Sequence, residues 1–227
     1  MDKKYTLEIN YIRDVLGSQP ADEDLRKKYI TEKMTTGKTG MSAEVAMEKI
    51  EGEVENLKKD PDVQAKIAEI EEKGLTVFHR NDDGVPSICD VQVRGFMKAA
   101  FAFVAINEKI GPKKKKDSSC YGEDWYRKWL CDRISFTTHY VPFPEGTEID
   151  VLTRPLRGKT MQGPRVSIAA SERVKAGVSV TFEFMATADL TEDMLRKTLD
   201  RGIFHGISQW SNAQWGCFTY TLTKEED

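Results

Sequence analysis

Tyr5, Leu7, Ile9 and Tyr11 occupy one parity of the opening segment Lys4–Val15, and Lys4, Thr6, Glu8 and Asn10 the other. That two-residue alternation predicts a half-buried strand, closed by the turn cluster Gly17-Ser18-Gln19-Pro20. From Asp22 to about Gly74 the period changes, and Glu, Lys and Ala carry narrow apolar stripes at helical spacing. Three surface helices are expected, over Asp22–Met34, Ser42–Lys59 and from Asp60 onward; in the third, Asp60 is the N-cap and Pro61 the first helical residue. The block reads as a helical insertion over residues 22–73.

A short strand, Leu75–His79, and the turn Asn81-Asp82-Asp83-Gly84 lead into Asp90–Lys109. Val93, Phe96, Ala99, Ala100, Phe103 and Ile106 recur there at three- and four-residue steps, which marks it as the core helix. Beyond Gly111-Pro112 and an exposed lysine loop comes the aromatic segment Tyr121–Trp129, and then β-rich sequence. Strands are expected at Ile134–Tyr140, Glu148–Thr153, Val166–Ala169, Val178–Ala186 and Gly216–Thr223. A helix capped by Thr191 runs to about Arg201, with Glu192 and Asp193 in its first turn and a staple from Leu190 to Leu195. Without the insertion and one extra β-hairpin, the order is strand, helix, strand, strand, helix, strand. The expected fold is therefore α+β, a single domain over 1–227 with a ferredoxin-like βαββαβ core of the RRM or RAMP kind.

Composition narrows the class. The chain has 227 residues, 39% hydrophobic and 31% charged, and no apolar run near the roughly 20 residues of a membrane span. No apolar leader follows the first lysines, so a cytoplasmic protein with no membrane partner is expected. Cys89, Cys120, Cys131 and Cys217 lack C-x-x-C spacing and sit apart from His79, His139 and His205. They read as four reduced thiols with no metal and no cofactor. The net charge of −3 hides an asymmetry: residues 1–75 carry 13 Lys+Arg against 17 Asp+Glu, residues 113–175 carry 13 against 8. A basic segment within an acidic chain still makes a local anion-binding face, because screening confines distant acids to about 8–10 Å.

Two stretches carry candidate chemistry. Between the last helix and the last strand, Gly202–Phe218 combines three glycines with Trp210 and Trp215. Glycine permits close backbone approach and tryptophan offers a stacking face, so the loop suits a phosphate or an unstacked base; both rings could equally roof the core. On exposure, Trp210 is expected to be the available ring and Trp215 the buried one. Arg154, Arg157, Lys159 and Arg165, followed by Arg173, suit phosphate contacts, or pair with acids on an exposed hairpin. Lys113 and Lys114 add a weaker cationic tip. His205 has no motif tying it to a nucleophile or carboxylate, and the Asp82-Asp83 pair reads as turn chemistry, so no catalytic residue and no enzyme is expected.

A glycine-rich loop between second helix and fourth strand of a ferredoxin-like order resembles the signature of the RAMP superfamily, the RNA-binding proteins of CRISPR effector complexes. The whole chain resembles a RAMP-like group encoded by phages or prophages. That resemblance implies a non-enzymatic protein binding single-stranded nucleic acid, RNA foremost, in the cytoplasm of a bacterial host cell. The expected contacts are Arg154, Arg157, Lys159, Arg165, Arg173, Lys113, Lys114, Gly206, Gln209, Trp210 and Asn212. The competing expectation is an anti-defence protein that inhibits a host defence complex through protein contacts. RNA or DNA, and monomer or homo-oligomer, stay open.

Overall fold

The computed structural model describes residues 2–21, 75–114, 118–160 and 163–225, without the side chains of 155–160 and 163–168. The expected helical insertion at 22–73 falls wholly outside them. In chain order the strands and helices are β1 (Lys3–Tyr11), β2 (Val15–Leu16), β3 (Gln19–Pro20), β4 (Leu75–Val77), β5 (His79–Arg80), β6 (Pro86–Cys89), α1 (Asp90–Asn107) and α2 (Glu123–Cys131). They continue as β7 (Ile134–Phe136), β8 (Tyr140–Pro142), β9 (Ile149–Thr160), β10 (Gly163–Val174), β11 (Ser179–Ala186), α3 (Glu192–Leu199) and β12 (Phe218–Lys224). The protein is mixed α+β. It divides into two compact units, one of residues 1–18, 78–150 and 173–227, the other of 19–77 and 151–172.

The first unit is built on an antiparallel sheet in the order β12–β1–β11–β7. Its register follows the alternation in β1: Leu7 faces Phe182 on one side and Leu222 on the other, and Tyr5, Leu7, Ile9 and Tyr11 are all buried. A one-residue slip would turn these four rings and branches to the opposite face, so the pattern fixes the pairing. α1 and α3 pack against each other and contribute Val93, Phe96, Met97, Phe101, Leu195 and Leu199 to the same core as the sheet. Phe96 meets Phe218 edge to face with ring centres 5.0 Å apart. The cap of α3 is as expected: Thr191 accepts from the Met194 N–H at 3.3 Å, and Leu190 and Leu195 are both buried.

Two expectations change, and a segment without a predicted element proves helical. Ile134–Tyr140 is two strands in two sheets, β7 in the main sheet and β8 in a small β5–β6–β8 sheet, because the chain breaks pairing after Phe136. The turn between β5 and β6 is made by Asn81 rather than the aspartates, since its Oδ1 accepts from the N–H of Asp83 (3.1 Å) and Val85 (2.7 Å). The aromatic segment is the helix α2, with Glu123 and Asp124 at its N-terminus and Tyr126, Trp129 and Leu130 buried. Trp129 stacks on Phe101 at 5.3 Å, and the Tyr126 hydroxyl donates to the Pro112 carbonyl at 2.8 Å.

In the second unit β4 lies between β3, antiparallel to it, and β10, parallel to it, and β9 pairs with β10. Thr76 Oγ1 donates to Ser171 Oγ at 2.8 Å across the parallel pair. The expected strands Glu148–Thr153 and Val166–Ala169 are thus parts of two 12-residue strands.

Candidate nucleic-acid interface

The glycines of the loop after α3 are required by backbone packing. A Cβ on Gly206 would lie 1.8 Å from the Trp215 carbonyl oxygen, and one on Gly216 2.1 Å from that of Ile207. The two limbs are joined where the Ile207 N–H donates to the Gly216 carbonyl at 3.0 Å. Gly202 lies under Phe218, whose ring would be 2.6 Å from an added Cβ. Between the limbs, Ser208, Trp210 and Gln214 hold positive φ of 84°, 61° and 65°. Such backbone at three non-glycine residues costs of order 1–3 kcal/mol each and persists because the loop's surroundings hold it.

Gln92, at the start of α1, ties that loop to the helix. Its Oε1 accepts from the Cys89 N–H (2.9 Å), completing a capping arrangement, while its Nε2 donates to Ser18 Oγ (2.9 Å) and Ser208 Oγ (3.1 Å). Ser208 Oγ in turn donates to the Leu16 carbonyl. A cleft of about 560 Å³ remains between loop and helix. Gly95, Ala99 and Phe103 line it from α1, Arg127 from α2, and Arg201, His205, Ser211 and Asn212 from the loop and its approach.

This cleft explains an excess in the sequence. Val93, Phe96 and Ala100 are buried as expected of a core helix, but Ala99, Phe103 and Ile106 are exposed. The apolar content of α1 is high because the helix has two apolar sides, one packed on the sheet and one left open.

Of the residues read from the sequence, Gly206 is buried and Asn212 exposed, and both line this cleft; Gln209 and Trp210 are half-buried in the same loop. Trp215 is half-buried too, so the expected contrast between an available and a buried tryptophan is absent. Gly206 takes part through backbone closure, since the Trp215 carbonyl occupies the space above its Cα. Lys113 and Lys114 are exposed; Lys113 bridges Cys120, and the Lys114 N–H donates to the Ser119 carbonyl.

Arg154, Arg157, Lys159 and Arg165 belong to the other unit, on β9 and β10. Arg154 is half-buried, and burial lowers its pKa from the ordinary arginine value. Arg173 is engaged by acids: its Nε and Nη2 donate to the two oxygens of Asp150 at 2.7 and 2.5 Å, with Asp14 at 3.4 Å. Those donors thereby form a bidentate clamp at the base of the hairpin.

Sequence reading gave no site role to Gln92, Phe103, Arg127 or Arg201, and took Phe103 as part of the core. Only Gln92 had a local signal, as the third residue after a helix cap. None of the four cysteines is in a disulfide. Burial pushes the Cys89 thiol up to about 11 and raises that of Cys217, so neither offers a thiolate near neutral pH. Among the described residues, no helix is long and apolar enough to cross a membrane.

No family model matches the chain, and no curated protein does. Among solved structures it is similar to a chain in a cryo-EM structure of the type III-B Cmr-beta bound to cognate target RNA. The TM-score is 0.45 at 13% identity, over 99% of this chain and 61% of that one. The chain thus spans less than two thirds of that relative's length, and a likeness of this size does not tell what this chain binds.

Proposed function

We propose that this is a RAMP-like protein that binds single-stranded nucleic acid, RNA before DNA, without catalysing a reaction on it. In this reading the β12–β1–β11–β7 sheet is the ferredoxin-like split βαβ core of a single domain, α1 joining its first two strands and α3 its last two. The carrying observation is the cleft between α1 and the glycine loop. Arginines, a histidine, an amide and a hydroxyl converge there beside exposed aromatic surface, the mix that a phosphodiester chain with unstacked bases requires. The cations along β9 and β10 supply sequence-independent attraction in the same reading.

The test is equilibrium binding of fluorescent single-stranded RNA and DNA 20-mers by anisotropy, over about 50 to 400 mM salt. The logarithm of affinity should fall linearly with the logarithm of salt concentration. Replacing Arg157, Lys159 and Arg165 by Ala should weaken all sequences alike and reduce the slope by roughly one for each lost phosphate contact. Lack of binding to either polymer at the lowest salt would overturn the reading.

A further inference from the structure

We infer that Phe103, Arg201 and Phe204 form a stacking site for one nucleobase of the bound strand, with Arg201 also holding the adjoining phosphate. This rests on the proposed function above and names the residues that would contact a base. Phe103 is 45% exposed and Phe204 53%, large values for phenylalanine in a folded unit whose other phenylalanines are mostly buried. Arg201 places its guanidinium over both rings, 4.2 Å from the centre of Phe103 and 4.9 Å from that of Phe204.

Two other arginines that lie over aromatic rings show what sets Arg201 apart. Arg133 lies over Trp129, and its Nε donates to Asp189 at 2.7 Å; Arg94 lies over Phe136, and its Nη2 meets Asp90 at 3.3 Å. In those two the guanidinium is neutralised by a carboxylate. Arg201 has no carboxylate within ion-pair distance among the described residues. Its N–H donors lie in the guanidinium plane, so contact with the rings leaves them directed outward, where a phosphate oxygen would be a charge-matched acceptor. The backbone that carries Phe204 is anchored to that of Arg201, because the N–H groups of Phe204 and His205 both donate to the Arg201 carbonyl, at 3.0 and 2.9 Å.

Phe103 and Arg201 border the cleft of about 560 Å³, which has room for one nucleotide, and His205, Ser211 and Asn212 around it can meet the edges of a base. Ile106 and Ile203 are exposed nearby in sequence and would also serve an apolar protein partner. What favours a base is the unneutralised cation on two ring faces, since an aliphatic partner would have to desolvate that charge without pairing it.

The probe is a single-stranded adenosine 12-mer carrying one 2-aminopurine, added to the intact chain and to variants whose melting curves match it. Phe204→Ala and Phe204→Leu should each weaken binding about tenfold and abolish the protein-induced change in 2-aminopurine fluorescence, whereas Phe204→Tyr should keep both within about twofold. Arg201→Gln should weaken binding and lower the salt slope by about one. Wild-type affinity in Phe204→Leu would overturn the inference, because apolar area without a π face would then suffice and the surface would suit a protein partner. Wild-type affinity in Phe204→Ala would overturn it as well. Both results presuppose that the unchanged chain binds the oligonucleotide; its failure to do so would overturn the proposed function itself.

Discussion

Two polar, glycine-bearing stretches that look alike in sequence are built by different forces. In the loop of residues 202–218, conformation is set by hard contact between backbones: Gly206 against the Trp215 carbonyl, Gly216 against that of Ile207. At the base of the hairpin, conformation is set by charge, with Arg173 gripped by Asp150 and approached by Asp14. The two share a neighbour, since Asp14 accepts the Gly216 N–H through its carbonyl and the Ala176 N–H through its side chain. Cations attract ligands only where acids have not already claimed them. By that criterion Arg173 is structural and Arg201 is available.

The contrast breaks first at the glycines. Gly206→Ala should destabilise by about 3 kcal/mol or more, because overpacking against backbone cannot be relieved by rotating a side chain. Gly84, in the turn between β5 and β6, provides the control. It has φ of +77° but nothing within 4 Å of an added Cβ, so Gly84→Ala should cost only about 1–2 kcal/mol, the price of left-handed backbone. Urea denaturation of the two variants measures the difference, and equal costs would show that the loop relaxes around Gly206.

Next in size is the clamp. Asp150→Ala should destabilise measurably but less than Gly206→Ala, because the ion pair is bidentate yet partly exposed, and it releases Arg173. If the released guanidinium then attracts nucleic acid, Asp150→Ala will bind RNA more tightly than the unchanged chain while being less stable. Affinity and stability moving in opposite directions would sharpen the distinction between claimed and available cations. A parallel fall in both would mean that the hairpin's geometry matters more than its charge.

The legibility of these regions in sequence follows the range of the forces involved. The strands of the main sheet could be read because alternation such as Tyr5-Leu7-Ile9-Tyr11 is local, and so could the cap at Thr191. α2 was hidden because Trp125, Tyr126 and Trp129 favour strands as single residues, while the helix depends on packing Trp129 against Phe101 in α1. The loop was legible as unusual, but its glycines answer to carbonyls up to ten residues away rather than to a ligand. The Phe103–Arg201 contact spans two helical regions and has no sequence period at all. A phenylalanine at helical spacing on α1 reads as core until the second apolar side of that helix is seen.

The smallest expected effect is on pH dependence, and it separates the two regions without touching function. The Arg173 guanidinium holds the Asp150 carboxyl below the ordinary 3.8, and the Thr187 hydroxyl, then Arg133, do the same for Asp189. A carboxyl with depressed folded-state pKa stabilises the fold above its ordinary pKa, and that contribution is lost as pH falls toward the folded-state value. Both carboxylates are at least partly exposed, so the loss is modest. The cost of Asp150→Ala should therefore be full near pH 7 and smaller at about pH 3, below the ordinary 3.8 of the carboxyl. Gly206→Ala opposes two backbone groups that do not titrate, and its cost should be the same at both values. Melting temperatures of the two variants between about pH 7 and 3 test this. A Gly206→Ala cost that also faded in acid would mean that the loop depends on Asp14 and its pairing with Arg173, making the two regions one electrostatic unit.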